Sequence, residues 1–343
     1  MKIALTVDPE LPVPPIHYGG IERIVSMLVD EFILEGHEVT LFAHQTSHTL
    51  AFLKPYSGKS SKSRIDTIRN MHLISREIYN GKYDVVHSFS RLAYLTFILP
   101  SRVPKIMSYQ RIPTISQIIK AQKLAFSNSL TFTGCSNFIS NQIKPFGTAN
   151  TIYNGFPQDK FAFTEKVSLE APLVFVGRIE PIKGPHHAID IALKSGKKLI
   201  IAGNIPTEYQ TYFDKQIAPY IDDEQIRYTG PVNDAEKSEL LSSALAFLMP
   251  IEWDEPFGIV MVEAMACGTP VIALNRGAVP EIIKDGINGF ICKDIDQCVN
   301  KVIEVHNLNR SAVRNYAMTR FSAKVIAQNY LELYQEQILQ ASK

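Results

Sequence analysis

The chain is predicted to be an α/β protein of two doubly wound, Rossmann-like domains, on three observations. An apolar run at residues 2–7 passes through a loop into a helical pattern over 21–34. A second apolar run follows at 37–43, giving a strand–helix–strand opening. The same alternation restarts beyond a turn-rich stretch, Tyr153-Asn-Gly-Phe-Pro157. Finally, 343 residues suffice for two domains, each with its own core. The expected boundaries are 1–155, 156–321 and a C-terminal helix over 322–343.

In the first domain the opening strand is followed by a proline-rich loop (Pro9, Pro12, Pro14, Pro15) that ends in His-Tyr-Gly19-Gly20. Ile21, Ile24, Val25, Leu28 and Phe32 then recur at helical spacing, and Gly36 stops the helix. No Gly-x-Gly-x-x-Gly follows the first strand, so this is not a dinucleotide fingerprint. Gly19 and Gly20 precede a helix start, where a phosphate can approach the backbone closely; a tight turn explains them equally well. Residues 46–62 are polar and read as a mobile loop, and 64–80 as a helix. Residues 84–87 form a short strand that puts His87 at its carboxyl end, where open α/β sheets bind ligands, although a lone histidine is more often structural. Strands at 105–108, 130–135 and 150–153 and helices at 115–125 and 137–144 complete the domain.

In the second domain, strand 173–176 leads into Gly177-Arg178-Ile-Glu-Pro-Ile-Lys183-Gly184. A helix at 186–194, strands at 198–202 and 227–229, Gly230, a helix at 234–243 and a strand at 246–249 follow. Two cations in a loop at a strand end make a diphosphate clamp: Arg gives a planar fork and Lys a mobile point charge. Most such pairs elsewhere are simply solvated. Then comes Glu255-Pro-Phe257-Gly258-Ile259-Val260-Met-Val-Glu263, with a helix over 259–266, a stop at Gly268 and Pro270, and a strand at 271–274. Free N–H groups at a helix start attract anions, while carboxylates beside them accept from hydroxyls. An anion seat flanked by hydroxyl acceptors describes a nucleotide sugar; a helix with a solvated acid at each end is the plain alternative.

The stretch from Glu255 to Ala273, with Arg276-Gly-Ala-Val-Pro-Glu281 and Asp285-Gly-Ile-Asn-Gly-Phe290, resembles the signature of family 4 glycosyltransferases. Gly177-Arg178 and Lys183-Gly184 match that family's Gly-Arg-x-x-x-x-Lys-Gly motif. The resemblance implies the GT-B fold, two Rossmann-like domains facing across a cleft with the last helix crossing back onto the first. It implies a retaining hexosyl transfer from a nucleoside-diphosphate sugar, UDP-linked more than GDP-linked, to a glycan, lipid-linked or small-molecule acceptor. By the same resemblance Arg178 and Lys183 hold the distal phosphate and Glu255 the transferred sugar. Glu263 holds the ribose hydroxyls, and N–H groups over Phe257, Gly258, Ile259 and Val260 orient sugar and phosphate. Gly177 and Gly230 lie at the donor, Gly19 and Gly20 close on the phosphate, and His87 lies near the sugar ring as a fourth catalytic candidate. Neither cofactor nor metal is expected. A non-catalytic sugar-nucleotide-binding subunit, or another GT-B enzyme such as a nucleotide-sugar epimerase, is the alternative.

Composition is ordinary for a globular protein, with 45% hydrophobic and 20% charged residues. The apolar runs are strand-length, and the N-terminus lacks the pattern of a signal peptide. Cys135, Cys267, Cys292 and Cys298 have no metal spacing, which suits a reducing cytoplasm. The net charge of +1 conceals an asymmetry: residues 54–123 carry 13 basic side chains against 3 acids. That excess points to an anionic acceptor or a peripheral contact with an anionic membrane at its inner face, while a merely solvated basic face explains it equally well; no nucleic-acid motif accompanies it.

Overall fold

The computed structural model describes residues 1–16 and 19–341. His17 and Tyr18, at the end of the proline-rich loop, and positions 342–343 of the expected last helix lie outside the described residues. The chain divides into two compact units, Met1–Gly155 with Ala323–Lys343, and Phe156–Ser322.

The first unit is built on seven parallel strands: β1 (Lys2–Thr6), β2 (Glu38–Ala43), β3 (Phe52–Pro55), β4 (Val85–Ser88), β5 (Lys105–Tyr109), β6 (Leu130–Gly134) and β7 (Ala149–Thr151). Their order, β3-β2-β1-β4-β5-β6-β7, reverses direction between β1 and β4. Helices α1 (Gly20–Leu34), α2 (Arg64–Gly81), α3 (Ile115–Leu124) and α4 (Asn137–Ile143) connect them. The apolar face of α1, Ile24, Val25, Leu28 and Phe32, is buried as its spacing dictates. β3 is a correction: the polar stretch 46–62 contains an edge strand paired in parallel with β2. Phe52 is exposed on it and Lys54 is ion-paired with Glu77 at 3.0 Å, so no apolar alternation marks it in the sequence. Lys105, one of the basic excess, is also not at the surface. It is fully buried, and its ammonium donates to the carbonyls of Ile98 (3.2 Å), Leu99 (3.1 Å) and Ser101 (2.6 Å). Burial pulls its pKa down to about 7.

The last helix, Ala323–Ala341, belongs to this unit and packs on α1, with Phe32 edge-on to Tyr334 at 5.6 Å. It begins one residue later than expected, because Ser322 pairs with Phe156 in an isolated parallel bridge. Tyr330, Tyr334 and Gln337 are its buried polar members.

The second unit holds six parallel strands: β8 (Leu173–Val176), β9 (Leu199–Ala202), β10 (Ile226–Tyr228), β11 (Ala246–Met249), β12 (Val271–Leu274) and β13 (Gly289–Cys292). The order is β10-β9-β8-β11-β12-β13. The chain winds outward from β8 one way and from β11 the other, so the switch point lies between β8 and β11. Around the sheet run α5 (Pro185–Ser195), α6 (Gln210–Gln216), α7 (Asp234–Ser243) and α8 (Ile259–Ala266). Phe175, Ile189, Ile201, Leu248 and Ile272 are among its core residues. Buried Arg310 secures the region behind α8, donating to the carbonyls of Thr164 (2.7 Å), Ala244 (2.8 Å) and Ser242 (2.8 Å). Arg314 donates to the carbonyl of Ala266 at the end of α8.

Candidate active site

The two strands flanking the switch point of the second unit each release a loop of site residues. From β8 comes Gly177–Gly184. Arg178 Nη2 stands 2.7 Å from Oε1 of Glu180, a carboxylate that is almost wholly buried. Pro181–Lys183 forms one 3-10 turn, and Gly184 ends it at φ 73°. A side chain on Gly184 would collide with the carbonyl of Pro250, so the loop lies directly against the chain leaving β11. From β11 comes the loop to Glu255. Lys183 Nζ donates to Glu255 Oε2 at 2.6 Å, and the same oxygen accepts from the indole N–H of Trp253 at 3.0 Å. The ammonium also lies 4.7 Å from the centre of the Trp253 ring. Backbone bonds fix the Glu255 end of this pair: Ala278 N–H donates to its carbonyl at 2.9 Å.

Gly258 has φ 80° and sets the start of α8. A Cβ there would come within 2.7 Å of Met249 Cε and 2.8 Å of Met261 Cε. Ile259 and Val260 open the helix half-exposed, while the Phe257 ring is buried against Phe321 at 5.9 Å, leaving its backbone as the part that a ligand would meet. Glu263, one turn further along, is 5% exposed. Its Oε1 accepts from Lys237 Nζ of α7 at 2.7 Å, and its Oε2 has no hydrogen-bond partner among the described residues. A buried carboxylate oxygen without a donor costs free energy, about 1–3 kcal/mol or more for a charged group. A ligand hydroxyl would remove that cost. Gly230 follows β10 at φ 77° with open space on its side-chain face, and its carbonyl accepts from Gly203 N–H at 2.8 Å. Gly177 N–H donates to Ala202 at 3.0 Å.

Glu180, Trp253 and Lys237 were not among the sequence candidates. Glu180 sits inside the Gly177–Gly184 motif, and Trp253, the sole tryptophan, is two residues from Glu255; both had a local signal. Lys237 reaches Glu263 across 26 positions and had none.

In the first unit, Gly19 and Gly20 do stand at the start of α1. Glu22 accompanies them: a Cβ on Gly19 would come within 2.9 Å of its Oε2. Burial, its largest cause, raises the Glu22 pKa. His87 requires a correction. It is fully buried, with Nδ1 2.6 Å from the Tyr334 hydroxyl and Nε2 2.6 Å from the Ser108 hydroxyl. Phe89 and Tyr330 flank the ring at 4.1 and 4.9 Å. Burial pushes its pKa well below the ordinary value, so the ring is neutral. His87 is a core residue beneath the last helix, with both nitrogens engaged by its own chain, and it offers no face to a sugar.

Paired parallel α/β units in one chain, the second with two cations and two acids in loops and a helix near its switch point, define a GT-B glycosyltransferase. The family model "Glycosyltransferase Family 4" matches residues 18–160, and "Glycosyl transferases group 1" matches 158–319. The spore coat protein SA of Bacillus subtilis is 23% identical, over 98% of this chain and 100% of that protein. HepE of Anabaena, solved with UDP and glucose, superimposes with TM-score 0.74 at 20% identity, covering 98% of this chain and 100% of that one. Sucrose-phosphate synthase of Thermosynechococcus elongatus gives TM-score 0.80 at 17% identity over 100% of both chains. The chain belongs to glycosyltransferase family 4.

Proposed function

We propose that this glycosyltransferase moves a hexose from a nucleoside-diphosphate sugar, UDP-linked in preference to GDP-linked, with retention and without a metal ion. The observation that carries the reading is the unfilled Oε2 of buried Glu263, which a ribose hydroxyl would satisfy. HepE, the structural neighbour, has been solved with UDP and with UDP-glucose, which supports the choice of nucleotide. Departure of the nucleoside diphosphate places negative charge on its distal phosphate and oxocarbenium character on the sugar. Arg178, Lys183 and the N–H groups of Ile259 and Val260 supply positive charge and donors to that phosphate. Lys183 is held by Glu255 until the phosphate arrives. Exchange of partners would then free a Glu255 oxygen for the hydroxyls of the hexose. The acceptor hydroxyl attacks the anomeric carbon from the leaving-group face. Its proton passes to the departing phosphate oxygen, so no enzyme nucleophile is required.

The acceptor side of the reading rests on the first unit. A cavity of about 500 Å³ there is lined by Ser90, Arg91, Tyr109, Gln110, Arg111 and Lys120, among others. Three cations in one cavity favour a negatively charged glycan or lipid-linked acceptor.

Thermal denaturation in the presence of UDP, GDP and ADP tests the donor. A ligand at a hundredfold excess over Kd stabilises by about 2.7 kcal/mol. UDP is expected to raise the midpoint most, and Glu263→Ala to abolish the response. A midpoint unmoved by every nucleotide would end the nucleotide-sugar reading.

A further inference from the structure

Three residues after Lys183, the first turn of α5 carries two adjacent histidines. His187 Nε2 lies 2.8 Å from Glu252 Oε1, and His186 Nε2 lies 3.7 Å from the same oxygen. The two imidazole rings are 4.0 Å apart. One ligand atom from each of the three residues can be chosen so that all lie within 4.8 Å of one another. The two loops are already tied close by, because Glu252 N–H donates to the carbonyl of Ile182, four residues before His186, at 2.9 Å.

One of the two rings already has the outer partner that a metal-bound histidine needs. His186 Nδ1 is 2.5 Å from the Tyr212 hydroxyl on α6. If Nδ1–H donates to that oxygen, the Nε2 lone pair faces Glu252. On the next ring, His187 Nδ1 is 3.9 Å from Asp190 Oδ2.

We infer that His186, His187 and Glu252 form a transition-metal site, taking Zn²⁺ through two imidazole Nε2 atoms and one carboxylate oxygen. Two nitrogens and one oxygen are a borderline-soft donor set that suits Zn²⁺ and not Mg²⁺. As the ion enters at His187 Nε2, the ring's single proton moves by exchange with water from Nε2 to Nδ1, so the imidazole stays neutral, and water fills the remaining coordination. The ion would staple the loop behind Lys183 to the loop ahead of Glu255. It would touch none of Arg178, Lys183, Glu255 or Glu263, and the inference does not rest on the donor reading.

Untagged, chelator-stripped full-length protein tests it, with Zn²⁺ added in a calorimeter and Co²⁺ followed by visible absorption. One equivalent of Zn²⁺ is expected, with a raised thermal midpoint and cobalt d–d bands of a low-coordinate site. His187→Ala and Glu252→Gln should each abolish these signals. Tyr212→Phe, which touches only the outer partner, should weaken binding about tenfold or more. Glu252 is a surface residue, so its variant is expected to fold, and the nucleotide-free midpoint of each variant checks this directly. Absence of Zn²⁺ uptake by the wild type, or uptake by the His187 and Glu252 variants equal to that of the wild type, would overturn the site.

Discussion

Glu255 Oε2 takes two donors, the ammonium of Lys183 and the indole of Trp253, and this sharing determines what substitution does there. Lys183→Ala leaves the carboxylate with the indole alone, and Glu255→Gln leaves the ammonium beside a neutral amide. Both side chains belong to loops, so the core survives either change. Loss of a charge contact made to the transition state is expected to lower kcat by about 10²–10³. Near-normal turnover by either variant, with thermal midpoints matching the wild type, would contradict their placement at the phosphate and the sugar. His87 acts on stability instead. Its folded pKa is depressed by burial, so below the unfolded value of about 6.5 the unfolded chain binds a proton that the folded one does not. Stability is therefore complete above about pH 6.5 and is lost as the pH falls toward the depressed folded value, at up to about 1.4 kcal/mol per pH unit. Urea titrations between pH 7.5 and 5 should show a shallower decline for His87→Gln than for the wild type; parallel declines would refute the assignment.

Among the elements, those with a clear start and stop signal were legible from the sequence. The strands Leu173–Val176, Ala246–Met249 and Val271–Leu274 and the helices Asp234–Ser243 and Ile259–Ala266 start and stop as expected, because Gly, Pro or a capping residue punctuates them. Edge strand β3 was illegible, since a strand with exposed Phe52 and paired Lys54 carries no period-two burial. The ion pairs Lys183–Glu255 and Lys237–Glu263 join positions 72 and 26 apart, and nothing local announces such a contact. His87 had the right place, at a strand's carboxyl end, but the helix that buries it lies 247 positions away at Tyr334. The basic excess changes meaning at this scale too. Lys54 and Arg69 have acidic partners and Lys105 is buried, so the stretch 54–123 is weaker in free charge than its composition suggests. The segment around α3 instead exposes Ile112, Ile119, Leu124 and Phe126 beside the exposed cations Arg102, Arg111, Lys120 and Lys123. Each cation near an anionic surface contributes about 1 kcal/mol. This segment is expected to sediment with anionic vesicles at low salt and to release as salt rises. Lys120→Glu with Lys123→Glu should remove most of that binding, and equal partitioning onto neutral vesicles would exclude it.

For the whole molecule, 35 basic residues against 34 acids leave a nearly neutral chain, so charge acts through where it is gathered. At the switch point of the second unit Arg178 and Lys183 stand where the phosphate is proposed to bind, and the two site acids each already hold a lysine. Turnover is accordingly expected to persist in EDTA. Activity lost on chelation and restored by Mn²⁺ would reverse that expectation. No helix among the described residues is long and apolar enough to cross a membrane.

The first unit is discontinuous in the chain, with Met1–Gly155 completed only by Ala323–Lys343, whereas Phe156–Ser322 is unbroken. A ribosome delivers the strands that carry His87, Ser108 and Thr131 long before Tyr334, Tyr330 and Gln337, the residues that cover them. At about 5–20 residues per second the gap lasts roughly ten to fifty seconds. The second unit can finish folding within that interval while the first sheet still presents a hydroxyl-lined, aromatic groove to water. Until the final helix emerges, that groove is the part of the nascent chain most open to chaperones and proteases.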